Sequence, residues 1–243
     1  MSKPSLLLTG LILAALFWLP SAQSTPAQVH GDFVSVKGNQ LIYRGSPVKL
    51  KGVNFYPKDQ PWGNMWNRWD GEATRQDLAR AQELGINSVR VLVPYDPDSG
   101  WTDKETGEIN PVYLKELQQL IQMAGDMNLK VIVALFDFYD PTEDNPDPGS
   151  AAEARNKQYL QALIPVFVND DRVLAWDLHN EPDQYPTWRD NNDPAAMVNW
   201  LDRMASEVRR LDSNHPLTVG MWQFDNLFVA DKSGSPPVGR HLA

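Results

Sequence analysis

Apolar and polar residues along this chain fall into two alternating periods. Phe33-Val34-Ser35-Val36 and Gln40-Leu41-Ile42-Tyr43 flank Lys37-Gly38-Asn39, a β-hairpin signal, because Gly and Asn tolerate positive φ in a tight turn. Gly45-Ser46-Pro47 reads as a further turn, and Lys49 to Tyr56 as a strand closed by Pro57. A strand and helix rhythm follows. Leu78, Ala81 and Leu84 sit at helical spacing over 72–84, with Gly85 as the stop. Ile86 to Val93 is a strand ended by Pro94. Asn110-Pro111 pairs an N-cap with proline at the first helical position, and Leu114, Leu117, Leu120, Ile121 and Met127 continue that helix.

Lys130 to Phe136 is the next strand. Ser150-Ala151-Ala152-Glu153 spells a capping box, opening a helix through Tyr159, Leu160, Leu163 and Val166. Val173 to Leu178 is an apolar run that reads as a buried parallel strand, and it ends in Asn180-Glu181-Pro182. Pro182 cannot extend the ladder, so the strand stops near Glu181 and holds a carboxyl at the rim of a rigid element. Asp193-Pro194 starts a helix with Met197, Trp200, Leu201, Met204 and Val208 on one face, and Leu217 to Trp222 is a fifth strand. Such alternation predicts a parallel sheet with right-handed crossovers, either an open doubly wound sheet or a barrel. In both, ligands lie at the C-terminal strand ends. No glycine-rich phosphate loop follows any strand, which counts against a nucleotide-binding open sheet.

The strand ends carry the candidate chemistry. They deliver Asn54 and Tyr56, then Arg90, then Asp137, then Asn180 and Glu181, then Trp222; the loops add Trp62, Trp66 and Trp188. Flat rings beside carboxylates and amides suit sugars, whose C–H faces pack on aromatics while their hydroxyls need oriented polar partners. Ordinary packing is the alternative for each Trp. Arg90 lies inside an apolar strand and needs a carboxylate there. It is either half of a structural ion pair, with Asp137 as one choice, or the group that keeps a catalytic carboxylate ionised.

Composition narrows the classes. The 243 residues are 42% hydrophobic, enough for one sizeable core, and the formal net charge is −9. No cluster of Lys and Arg stands out, which argues against a nucleic-acid partner. There is no cysteine, and the four histidines show no ligand spacing, so neither a metal nor another cofactor is expected. Residues 1–24 read as a secretory signal peptide: Lys3, an uncharged run from Leu6 to Leu19, then the small residues Ser21-Ala22-Gln23-Ser24. An uncleaved anchor is the other reading. Removal of the leader would leave a secreted or periplasmic protein with no membrane partner.

These residues resemble a family 5 glycoside hydrolase, the cellulase and mannanase-like family. The resemblance rests on Phe33-Val34, Gly38-Asn39-Gln40-Leu41, Gly45 and Pro47, on Gly52-Val53-Asn54-Phe55, on Asn87-Ser88-Val89-Arg90, and on Trp176 to Pro182. It implies a (β/α)8 TIM barrel hydrolysing β-linked polysaccharides or oligosaccharides by a retaining two-carboxylate mechanism. Glu181 would be the acid/base, Asn180 a contact to the sugar 2-hydroxyl and Arg90 a partner of the nucleophile. Asn54, Tyr56, Trp62, Trp66, Asp137, Trp188 and Trp222 would bind substrate.

The family's nucleophile stands at strand seven, and a barrel of this kind takes ~250 residues or more. After Glu181 the only glutamate is Glu207, read as a solvated charge in mid-helix. The expected layout is therefore the leader 1–24, a short N-terminal β-hairpin over 25–49, a partial barrel over 50–225 with about the first five strands and four helices, and an irregular tail over 226–243. Such a truncated chain is expected to be inactive alone. A non-catalytic carbohydrate-binding protein and a fragment complemented by a C-terminal half are the alternatives. The sequence leaves the sugar and its linkage open.

Overall fold

The computed structural model describes residues 32–95, 99–103, 105–185 and 194–223. The leader, Trp188 and the tail lie outside these residues. Three short antiparallel strands come first: β1 (Ser35–Lys37), β2 (Gln40–Tyr43) and β3 (Ser46–Val48). Gly38 adopts φ 61° in the expected turn. The third strand corrects the reading of Ser46-Pro47 as turn only: Pro47 pairs with Ile42 in the sheet. Its missing N–H is tolerated because β3 is an edge strand.

The main sheet has five parallel strands in the order β4 (Gly52–Asn54), β5 (Ser88–Pro94), β6 (Lys130–Asp137), β7 (Val173–Asn180) and β8 (Leu217–Gly220). Spatial order follows chain order throughout, with no reversal. An open doubly wound sheet would reverse at a switch point, so this order is that of a barrel wall. Between the strands lie α1 (Asn64–Asn67), α2 (Gly71–Glu83), α3 (Pro111–Asp126), α4 (Ala151–Phe167) and α5 (Pro194–Leu211).

Local chemistry sets the helix ends. Asp70 caps α2 by accepting from the N–H groups of Glu72 and Ala73, and Asn110 caps α3 from Val112. Gly85, past the end of α2, takes φ 77°, which a side chain would strain. The expected box on α4 forms only in part. Ser150 accepts from the Glu153 N–H, but the Glu153 carboxylate bonds the N–H of Gly149 and the guanidinium of Arg203. Leu84 is the C-cap of α2 and is exposed, so it leaves the apolar stripe it was assigned to.

Alternation divides each strand between two surroundings. Val89, Val91 and Val93 of β5, Val131, Val133 and Leu135 of β6, and Trp176 and Leu178 of β7 join one cluster with Leu78, Leu117, Leu120, Leu163, Met204 and Val208 of the helices. Arg90 and Asp177 fall on the intervening positions and so on the opposite face of the sheet. The helix-facing cluster removes large side chains from water, and each fully buried Leu or Val contributes about 1.5–3 kcal/mol.

One buried group opposes the fold at neutral pH. Glu116 of α3 is 9% exposed and its Oε2 has no hydrogen-bond partner. Burial pushes its pKa up to about 7. A carboxyl whose folded pKa lies above its unfolded value stabilises the protein in acid, and that contribution is lost as pH rises through the folded value. Glu116→Gln is therefore expected to raise the melting temperature at pH 8, by a stability gain on the order of 1–3 kcal/mol, and to leave it unchanged at pH 4. Thermal melts at the two pH values read the difference.

Candidate active site

Arg90 projects from β5 and ties it to the ends of β4 and β7. Its Nε donates to Asp177 Oδ2 at 2.7 Å, and Nη2 lies 2.5 Å from the same oxygen. Nη1 donates to Asn54 Oδ1 and Nη2 to Asn180 Oδ1, each at 3.1 Å. The planar fork of arginine is what lets one side chain serve three acceptors. Asp177 is almost fully buried, and its Oδ1 accepts the Gly220 N–H of β8 at 2.8 Å. Burial pushes the Asp177 carboxyl up, while Arg90 pulls it down. Gly220 is required here: a Cβ would stand 2.6 Å from Arg90 Nη2 and 2.9 Å from Asp177 Oδ2.

The expected ion pair of Arg90 is thus formed with Asp177 and not with Asp137. Asp177 escaped notice because it sits inside an apolar run, and only the stagger between strands shows that it faces Arg90. Asp137 is 2% exposed and lies beside Asn180 at the end of the neighbouring strand. That burial corrects its assignment as a substrate-binding residue. Burial pushes its pKa up to about 6, against the opposing pull of Asn180 and Arg90.

Glu181 follows β7 in a left-handed conformation, φ 49° and ψ 52°. A non-glycine residue there is uncommon and costs about 1 kcal/mol or more, so its surroundings must hold it. The Glu181 N–H donates to Gly220 O at 2.5 Å, and Gln184 Nε2 donates to Glu181 Oε2 at 2.5 Å. Its side chain is partly exposed at the rim. Beside it, burial pushes His179 down to about 4, so its ring is neutral near pH 7. Its Nε2 lies 2.7 Å from Tyr139 O, which ties β7 to the segment after β6.

Aromatic side chains line one flank of this end. Tyr56 and Trp62 stack with centroids 5.6 Å apart, and Trp62 meets Phe138 edge-on at 6.3 Å. All three are exposed, Trp62 at 54%. Trp62 and Phe138 both have positive φ, 56° and 59°. Trp222 is also 54% exposed. Its backbone N–H donates to Asp183 Oδ1 at 2.8 Å, and the Gln223 N–H donates to Asp183 Oδ2 at 2.7 Å. Asp183 was overlooked in the sequence, although an acidic residue in the turn after Pro182 is well placed to collect N–H groups.

Trp66 does not belong to this surface. It is 1% exposed, its Nε1 donates to Leu92 O, and it packs on Trp69 and Trp101. The one-turn helix α1 carries it inward, a direction no periodicity in 57–70 discloses. Glu207 is likewise not a solvated charge: it is 9% exposed, with Arg210 and Gln161 on its carboxylate. Among the described residues no group of three or more His, Asp or Glu is arranged to hold a metal ion. Asn54, Arg90, Asn180 and Glu181 are brought together, with Tyr56, Trp62 and Trp222 exposed at the same strand ends.

Comparison with known proteins points the same way. The chain is 25% identical over 238 residues to mannan endo-1,4-beta-mannosidase 1 of Arabidopsis thaliana, covering 88% of this chain and 56% of that protein. It is 25% identical over 234 residues to mannan endo-1,4-beta-mannosidase A of Podospora anserina, covering 86% and 58%. The chain therefore spans little more than half the length of these relatives. Its fold matches the endo-1,4-beta-mannanase of Rhizomucor miehei with a TM-score of 0.66 at 20% identity, over 84% of this chain and 63% of that one. The family model described as cellulase (glycosyl hydrolase family 5) matches residues 41–241. The chain belongs to glycosyl hydrolase family 5.

Proposed function

We propose that this chain carries the proton-donating part of a site that hydrolyses β-1,4-mannan with retention, with Glu181 as its acid/base. The observation that supports this most is the convergence on Arg90: one guanidinium joins Asn54, Asp177 and Asn180 while Glu181 stands at the adjoining rim. The names of the relatives favour mannan among β-linked polysaccharides.

In such a reaction Glu181 gives its proton to the departing glycosidic oxygen while a second carboxylate attacks the anomeric carbon. Glu181 then takes a proton from the water that releases the sugar. The two carboxyls stand ~5–5.5 Å apart in retaining enzymes. Glu207, buried on α5 with Arg210 and Gln161, does not serve. The nucleophile comes from a carboxylate outside the described residues, and a complementing C-terminal half is the partner this reading calls for. Asn180 offers its amide to a sugar hydroxyl. Tyr56, Trp62 and Trp222 offer ring faces. The protein acts after export, as its N-terminal pattern implies.

Reducing-end release from β-1,4-mannan tests the proposal. The 243-residue chain alone is expected to leave the polymer uncut. A mixture with a second polypeptide supplying the remaining strands and a strand-end glutamate is expected to cut it. Turnover that survives Glu181→Gln would contradict the assignment.

A non-catalytic sugar-binding role is favoured by one observation, the exposed Tyr56–Trp62–Phe138 wall, which needs no second carboxylate. Under either reading Trp62→Ala is expected to weaken mannopentaose binding about tenfold, as the loss of one ring stack would. Titration calorimetry gives the ratio, and unchanged affinity would remove Trp62 from the site.

A further inference from the structure

Asp137 and Asn180 end adjacent strands. Phe136 pairs with His179 across β6 and β7, so the next residue of each strand lies beside the other. Asn180 Oδ1 is committed to Arg90 Nη2. The amide then presents Nδ2 to its other side, toward the adjoining Asp137 carboxylate, whose ionised form it favours. A guanidinium can only donate and a carboxylate can only accept, so the pair fixes the amide in one of its two flips. One N–H of Nδ2 remains for a ligand.

We infer that Asp137 is a positioning residue, which holds the Asn180 amide for a sugar hydroxyl and makes sugar binding depend on its own ionisation. This rests on the mannan-site reading above. At 2% exposure Asp137 is too buried to meet a sugar itself. The groups that act on it are Arg90 from β5, and Asn180 and Glu181 from the end of β7; the N–H of Phe138 also favours its ionised form. Tyr185, after the turn, lies within the field of Asp137, Asp140 and Glu181. The net effect places its titration near pH 6. Above that value the ionised carboxylate grips the amide. Below it, a neutral acid accepts more weakly and its own O–H competes for an acceptor.

Two measurements on the 243-residue chain test this. Mannopentaose affinity, by titration calorimetry, is expected to be about fivefold higher at pH 7.5 than at pH 4.5. Asp137→Asn, nearly isosteric, is expected to flatten that dependence. Separately, the side-chain amide resonance of Asn180 is expected to titrate with a midpoint near 6 and to stop doing so in Asp137→Asn. A fivefold dependence that persists in the variant, or an Asn180 amide indifferent to pH, would overturn the inference. The resonance needs no sugar. Absence of mannopentaose binding at every pH would count against the mannan reading, while the amide titration would still decide on Asp137.

Discussion

Arg90→Ala is expected to destabilise the protein by about 3–5 kcal/mol, the cost of removing one partner from a buried ion pair. The side chain of Asp177 is 2% exposed, and that of Arg90 18%. Without the guanidinium, Asp177 keeps the neutral N–H of Gly220 and little else to offset its charge. Asn54 and Asn180 lose a donor at the same stroke. Domains of this kind are stable by only about 5–15 kcal/mol, so the change takes a large share. A denaturant titration should show a lowered midpoint with an unchanged slope. The deficit should shrink in acid, because protonation neutralises the orphaned Asp177. Arg90→Lys should fold better than Arg90→Ala yet still release Asn180, because a point charge cannot serve three acceptors in fixed directions. Arg90→Ala combined with Asp177→Ala should recover part of the loss.

Glu181→Gln is expected to lower turnover on mannan by about 10²–10⁴-fold in the complemented barrel, the usual worth of a placed proton donor. The fold should be untouched. Glutamine keeps the volume, its amide oxygen still accepts from Gln184 Nε2, and the backbone bond to Gly220 O is independent of the side chain. Mannopentaose should bind with near-wild-type affinity, so the effect belongs to the chemical step and not to binding. An equal fall in affinity and turnover would instead make Glu181 a binding residue.

The elements that local chemistry specifies were legible in the sequence. Asn110-Pro111 opens α3, Gly85 closes α2, and the run from Val173 stops before Glu181. Each rests on a cap, a positive φ or a missing donor, all properties of single residues. The partners of Arg90 were not legible, because they depend on the stagger of β5, β6 and β7. Ala134 pairs with Asp177 and Ile132 with Arg90, and no pattern along one strand contains that offset. Trp66 and Trp62 stand four residues apart in a stretch without periodicity, yet one is buried and the other faces solvent. The strand-end inventory placed Asp137 in the right region but missed its burial, since a strand's last residue is covered or open according to its neighbours' loops.

A crystal structure of the 243-residue chain with mannopentaose tests the central assignment most directly. The account predicts a glycosidic oxygen about 2.6–3.2 Å from a Glu181 carboxyl oxygen, with a sugar hydroxyl on Asn180 Nδ2 and a pyranose face against Trp62. Sugar seated away from the Arg90 cluster, or a Glu181 carboxyl turned from the bound chain, would contradict it.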